Sequence, residues 1–190
     1  HAMPFFKSLA PDAGPGDVFT AHPEIYGPWS QMSQVLMNGP SALSPGEREM
    51  IAAYVVGVAD CAYAYAAHCA AAYVWGIEEG LIDRLLDDFD AAPVEDRFRP
   101  MLRYVRKLTL SPSAMIQADA DAVFDAGWDE KALHDAIAVC ARMNFMCRLV
   151  EGHGFVPMDA GRARDNAENR VRLGYKNLYP AFVDEGDDGA

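Results

Sequence analysis

Apolar residues recur three and four positions apart along most of the chain, in stretches separated by short polar breaks marked by glycine or proline. This is the period of amphipathic helices. In 23–37, Ile25, Trp29, Met32 and Leu36 share one stripe, which Asn38-Gly39-Pro40 ends. Ser44-Pro45-Gly46-Glu47 joins an N-cap serine, a proline at the first helical position and a glutamate at the third. That capping box predicts a helix running to about Val58. Asp60 is the expected cap of the next helix, 61–75, closed by Gly76, and 78–89 is short and amphipathic. A longer helix covers 95–109 with Met101, Leu102, Val105 and Leu108 buried, followed by 117–126 and by 129–151, capped by Asp129. Sustained alternation and hairpin dipeptides are missing, so the pattern predicts an all-α bundle.

Two regions stand apart. Alanine is dense from Ala52 to Ala72, with Gly57 inside, so this helix pair is expected at the bundle centre or at a subunit contact. From Pro157 the chain is polar and Arg-rich, yet carries Val171, Leu173, Tyr175, Leu178, Tyr179 and Phe182. The expected organisation is a helical domain over 3–156 and an extended C-terminal arm over 157–190 that packs on a neighbouring subunit. The acidic end DEGDDGA is expected to be disordered.

Composition narrows the partners. A net charge of -12 and a pI near 4.7 argue against a nucleic-acid backbone or an anionic membrane surface. No run approaches the ~18–20 uncharged residues that span a bilayer, and the start lacks a signal-peptide pattern, so a cytoplasmic protein is expected.

The candidate chemistry lies between Glu49 and His68. Cys61 and His68 are seven residues apart, two turns, so on a continuous helix they share a face, and Glu49 lies on the preceding helix. A thiol needs a base to become a thiolate, and a carboxylate can orient that base. The other groups have plainer readings. Cys61 with Cys69, and Cys140 with Cys147, would lie ~12 and ~10 Å apart on intact helices, too far for a disulfide; bridges between helices stay open. Cys140 and Cys147 read as small core residues, and Cys69 as a buried cysteine in an alanine run. His22, His134 and His153 lack the spacing of a metal site. Trp29, Trp75 and Trp128 read as core or interface anchors, and Asn144 with Arg148 either as a polar contact beside the active helix or as an exposed or interface pair.

The capping-box helix followed by Glu49, Cys61 and His68 on an Ala-rich helix pair resembles the alkylhydroperoxidase D and carboxymuconolactone decarboxylase superfamily. Pro4-Phe5-Phe6, 39–57, 128–154 and the arm are similar to its uncharacterised peroxidase-related branch. The resemblance implies a homo-oligomer with an alkylhydroperoxidase-D-like fold and no bound cofactor. The family pattern is a glutamate, C-x-x-C, then a histidine four after the second cysteine. Here Ala64 stands where that second, peroxide-attacking cysteine belongs, and Tyr65 takes a place where relatives often carry histidine.

Three functions follow from that resemblance. The first is a thiol oxidoreductase: Cys61 reduces a small hydroperoxide with Glu49 and His68 as relay, an external thiol resolves it, and the missing cysteine impairs it. The second is a decarboxylase-like proton-transfer enzyme using Glu49 and His68, with Arg48, Arg142 and Arg148 as candidate anion binders. The third is an inactive oligomeric scaffold.

Overall fold

The structure is a computed structural model that describes residues 3–183, so the acidic end expected to be disordered lies outside the described residues. Among the described residues there are nine α-helices and no strand. They are α1 (Pro15–Ala21), α2 (Pro23–Asn38), α3 (Pro45–Val58), α4 (Ala62–Val74), α5 (Leu81–Asp87), α6 (Phe98–Leu110), α7 (Gln117–Asp125), α8 (Glu130–His153) and α9 (Ala160–Leu173). The all-α expectation holds.

The fold is built around α3. Its residues Arg48 to Val56 are buried on every side, and it packs against α4, α5, α6 and α8. A helix buried all round needs an apolar surface without a polar face; Met50 to Val56 is that sequence, and the two charged exceptions, Arg48 and Glu49, need polar partners. Gly57 permits the close approach of α5, since a Cβ there would lie 2.6 Å from Leu86 Cδ1. The capping box forms: the Glu47 N–H donates to Ser44 Oγ at 3.1 Å, and the Ser44 N–H donates to Glu47 Oε2 at 2.8 Å.

Two elements differ from the sequence reading. Asp60 does not cap α4; it takes a left-handed conformation (φ 55°), and Cys61 is the N-cap residue, with φ -96° and ψ 88°. The reversal after α3 needs one left-handed residue, and aspartate tolerates it. The arm also contains a regular helix. Asp159 caps α9 by accepting the Arg162 N–H at 2.9 Å, and α9 lies along α4, burying Ala163 and Ala167. Within the chain, small side chains on α4 and α9 let the two helices pack along a narrow stripe.

Replacing Ser44 by Ala should cost about 1 kcal/mol of stability. The check is urea denaturation, with a lower midpoint at an unchanged slope.

Candidate functional site

The interior of α3 and α4 holds a carboxylate and an imidazole that would each be costly to bury alone. They solve this together. His68 Nδ1 lies 2.7 Å from Glu49 Oε2, with both residues almost fully buried (4% and 1% exposed). The second carboxylate oxygen accepts the hydroxyl of Tyr175. Tyr175 reaches this point because Gly174 turns the chain at φ 75° and the Tyr175 N–H donates to Gln34 Oε1 at 2.7 Å.

The proton of this pair has a definite place. Burial alone pushes the Glu49 carboxyl up, but His68, Arg170 and the Tyr175 hydroxyl outweigh it and hold it below the ordinary value. Burial lowers His68, and Arg170 and Arg142 lower it further; Glu49 only partly opposes this. The resting state is therefore an ionised Glu49 and a neutral His68 whose Nδ1–H donates to the carboxylate. The Nε2 lone pair is then left to act as a base.

His68 lines a small enclosed chamber together with Ala64, Ser30, Arg142, Arg170 and Tyr179. The chamber offers about 30 Å³ to the centre of a water-sized sphere, where one ordered water needs about 10–15 Å³. A wider vestibule of about 370 Å³ lies outside it and shares Tyr63, Arg170 and Tyr179 with it.

The chamber is cationic. Arg142 is 6% exposed; its Nε donates to Ser33 Oγ at 2.9 Å, and its guanidinium lies 4.6 Å from the Tyr175 ring centroid. Arg170 lies 5.1 Å from the same ring, and although its stem is half-buried, its Nε is sealed from water without a partner. Ser30 Oγ is likewise buried and unpartnered. Neither arginine has a carboxylate within ion-pair distance among the described residues.

Cys61 is placed elsewhere. It is 1% exposed at the head of α4 and does not line the chamber. The seven-residue spacing to His68 presumes a continuous helix, and Cys61 sits outside it as the N-cap. Of the three residues singled out, the structure joins Glu49 and His68, and Cys61 is not part of the chamber wall, which at the vacated cysteine position is Ala64 itself. Tyr65 bonds Asp83 at the surface. Burial pushes the Cys69 thiol up to about 12. Of the candidate anion binders only Arg142 reaches the chamber: Arg48 donates to Leu36 O at 2.7 Å, and Arg148 is an exposed partner of Asn144. Arg170 and Tyr175 were missed because nothing local in the arm shows which way its residues face.

No protein-family profile and no curated protein matches the chain. Among solved structures it is similar to an uncharacterized peroxidase-related protein from Silicibacter sp. TM1040, with 27% identity over 78% of this chain and 79% of that chain, and a TM-score of 0.72. It is also similar in fold to an uncharacterized peroxidase-related protein from Ralstonia eutropha JMP134 described as an alkylhydroperoxidase AhpD core, at 23% identity over 77% of this chain and 78% of that one, with a TM-score of 0.71. The fold is the alkylhydroperoxidase-D-like one that the sequence resemblance implies.

His68 and Glu49 both bind protons less readily when folded than when unfolded. Their contribution to stability is therefore complete above the unfolded pKa values, ~6.5 and ~4.3, and is lost as pH falls through the folded ones. Denaturation midpoints should drop below about pH 6.5. The His68→Asn protein should show a shallower drop between pH 6.5 and 5, and an NMR titration should find the His68 ring neutral below its ordinary midpoint.

Proposed function

We propose that this alkylhydroperoxidase-D-like chain is a proton-transfer enzyme acting at carbon on a small carboxylate. The observation that carries the reading is the charge of the chamber: Arg142 and Arg170 line it, and the neighbouring carboxylate, Glu49, is already bonded to His68 and Tyr175. A buried cation without a counter-charge costs several kcal/mol, and an anionic substrate supplies the missing charge. The substrate carboxylate binds the two guanidiniums and Ser30 Oγ. His68 Nε2 takes a proton from the carbon next to a carbonyl, the C–H electron pair moves into the enolate, and the arginines stabilise the developing oxyanion. Glu49 and Tyr175 hold the imidazole in the tautomer that leaves Nε2 free. In decarboxylation of a carboxylate placed β to that carbonyl, the C–C bond breaks, carbon dioxide leaves, its electron pair passes into the same enolate, and the carbon takes its proton from water.

The test is deuterium exchange at carbon in D2O, followed by proton NMR over a panel of small enolisable carboxylates. The His68→Gln and Glu49→Gln proteins should each lose about 100-fold or more, and Arg142→Met should raise KM about tenfold. Exchange no faster than buffer across the panel, or unaffected by His68→Gln, would discard the reading.

Reduction of hydroperoxides through Cys61, with Glu49 and His68 as relay and an external thiol as reductant, draws support from the names of the two structural neighbours. Against it, Ala64 lines the chamber and Cys61 does not. Assembly with further copies belongs to the same proposal. Ile25, Met32 and Val35 form an exposed apolar stripe on α2, and Phe145 stands exposed above an apolar groove between α6 and α8. Sedimentation velocity should show a homo-oligomer, and Met32→Glu with Val35→Glu should shift it toward the monomer.

A further inference from the structure

Three residues that line the His68 chamber carry poorly served hydrogen-bond donors. Ser30 Oγ and Arg170 Nε are sealed from water and have no partner. Arg142 gives its Nε–H to Ser33 Oγ, and its other acceptor among the described residues is the Met143 sulfur, 3.3 Å from Nη1. A thioether is a weak acceptor. Buried donors are almost always paired, and leaving one empty costs free energy. The three residues come from α2, α9 and α8, so the fold and not a local turn gathers them around one space. That space, at about 30 Å³, takes two or three atoms of water size at ~10–15 Å³ each.

We propose that the chamber binds one small planar oxyanion of the formate class together with one proton, the anion on Arg142, Arg170 and Ser30 and the proton on His68. This rests on the reading above in one respect, that an anion meets the charge of the chamber, and it adds a regulation of the same site. In the empty chamber burial, Arg170 and Arg142 hold the imidazole neutral against the pull of Glu49. An anion seated on the two guanidiniums cancels their field and brings a negative charge of its own, so the protonated ring becomes the favoured form. By linkage the proton tightens the anion by the factor with which the anion tightens the proton. Solvent supplies both, and the pair enters with no net change of charge. Formate has no carbon next to a carbonyl from which His68 could take a proton. It therefore occupies the carboxylate donors while the base is held protonated, and it inhibits more strongly as pH falls.

No other group around the ring competes for that proton. From α3, Glu49 is held below the ordinary carboxylate value and already accepts two hydrogen bonds. Tyr63, on α4 itself, is pushed up by burial to about 12, and burial also raises Tyr175 and Tyr179 of the arm, so all three stay neutral. Arg142 from α8 and Arg170 from α9 keep their charge. From α1 and α2 the wall holds Phe19, Ser30 and Ser33, none of which titrates. Asp17, Arg162 and Asp165 stand in the outer vestibule.

The experiment is calorimetric titration of the folded protein with sodium formate, in two buffers of different ionisation enthalpy. One saturable site should appear, with uptake of about one proton per formate at pH 7, and affinity should fall up to about tenfold per pH unit above pH 6.5. An NMR spectrum at pH 7 should show the His68 ring neutral without formate and protonated with it. Ser30→Ala should weaken formate about tenfold, whereas Asn169→Ala, in the vestibule, should bind it as the natural protein does. His68→Gln should bind formate more weakly, with no proton uptake and no dependence on pH. Benzoate, too large for the chamber, should not take up a proton. Absence of a saturable site, binding without proton uptake, or uptake that survives His68→Gln would overturn the proposal. Formate has no enolisable carbon, so these readouts are independent of turnover. Carbon–deuterium exchange can fail while formate and proton bind together, and the coupling can fail while exchange proceeds.

Discussion

The hydrogen bond between Glu49 and His68 organises the site and the rods that carry it. A carboxylate inside an otherwise apolar helix is tolerable only if its oxygens are satisfied. Glu49 has two partners, one on α4 and one on the arm. The first fixes the rotation of α4 against α3. The second ties the arm to the interior, because Tyr175 can reach Oε1 only when Gly174 has turned the chain and Gln34 has received its amide. Docking of the arm and the charge state of the site are therefore one equilibrium. An arm that lifted would strand a charged carboxylate with one partner, which drives Glu49 toward protonation and removes the orienting charge from His68.

That linkage bears on which chemistry the chamber suits. A thiol at position 64 would be pulled toward its anionic form by two nearby guanidiniums and an imidazole. With alanine there, the same positive field is unspent. Arg142 is the telling residue, since it bonds a serine hydroxyl and lies on an aromatic ring, with no carboxylate of its own. Burial lowers its pKa, and Glu49 offsets only part of that. A neutral imidazole beside such a field is a base whose conjugate acid is disfavoured, so it releases its proton readily once the oxyanion next to it has formed.

How far the sequence disclosed this depended on the range of each signal. Helix caps are local, and Ser44–Glu47 and Asp129 were legible because serine, proline, glutamate and aspartate act within one turn. Glu49 and His68 were legible as a pair through the resemblance to a known pattern. Three things were not. Helix α9 has few apolar residues, and Ala163 and Ala167 mark its buried face only when α4 is known to be alanine-rich opposite. Arg170 and Tyr175 enter through tertiary contacts that no periodicity encodes. Cys147 read as a core residue, which it is, and its place on the wall of a surface groove follows only from packing.

Cys61 was misplaced for a more instructive reason. The argument from a seven-residue spacing assumes that both positions obey the 3.6-residue period, and it fails at the first residue outside the helix. Asp60, in its left-handed conformation, and Cys61, with ψ near 88°, complete the reversal from α3 before the period of α4 begins. Tyr63, Ala64, Ala67 and His68 then follow the helix into the chamber wall, of which Cys61 is not a part. If α4 began one turn sooner, Cys61 would fall under the same period as His68 and turn toward its face. The backbone of two residues thus keeps Cys61 outside the helical period that carries Ala64, Ala67 and His68 into the chamber wall.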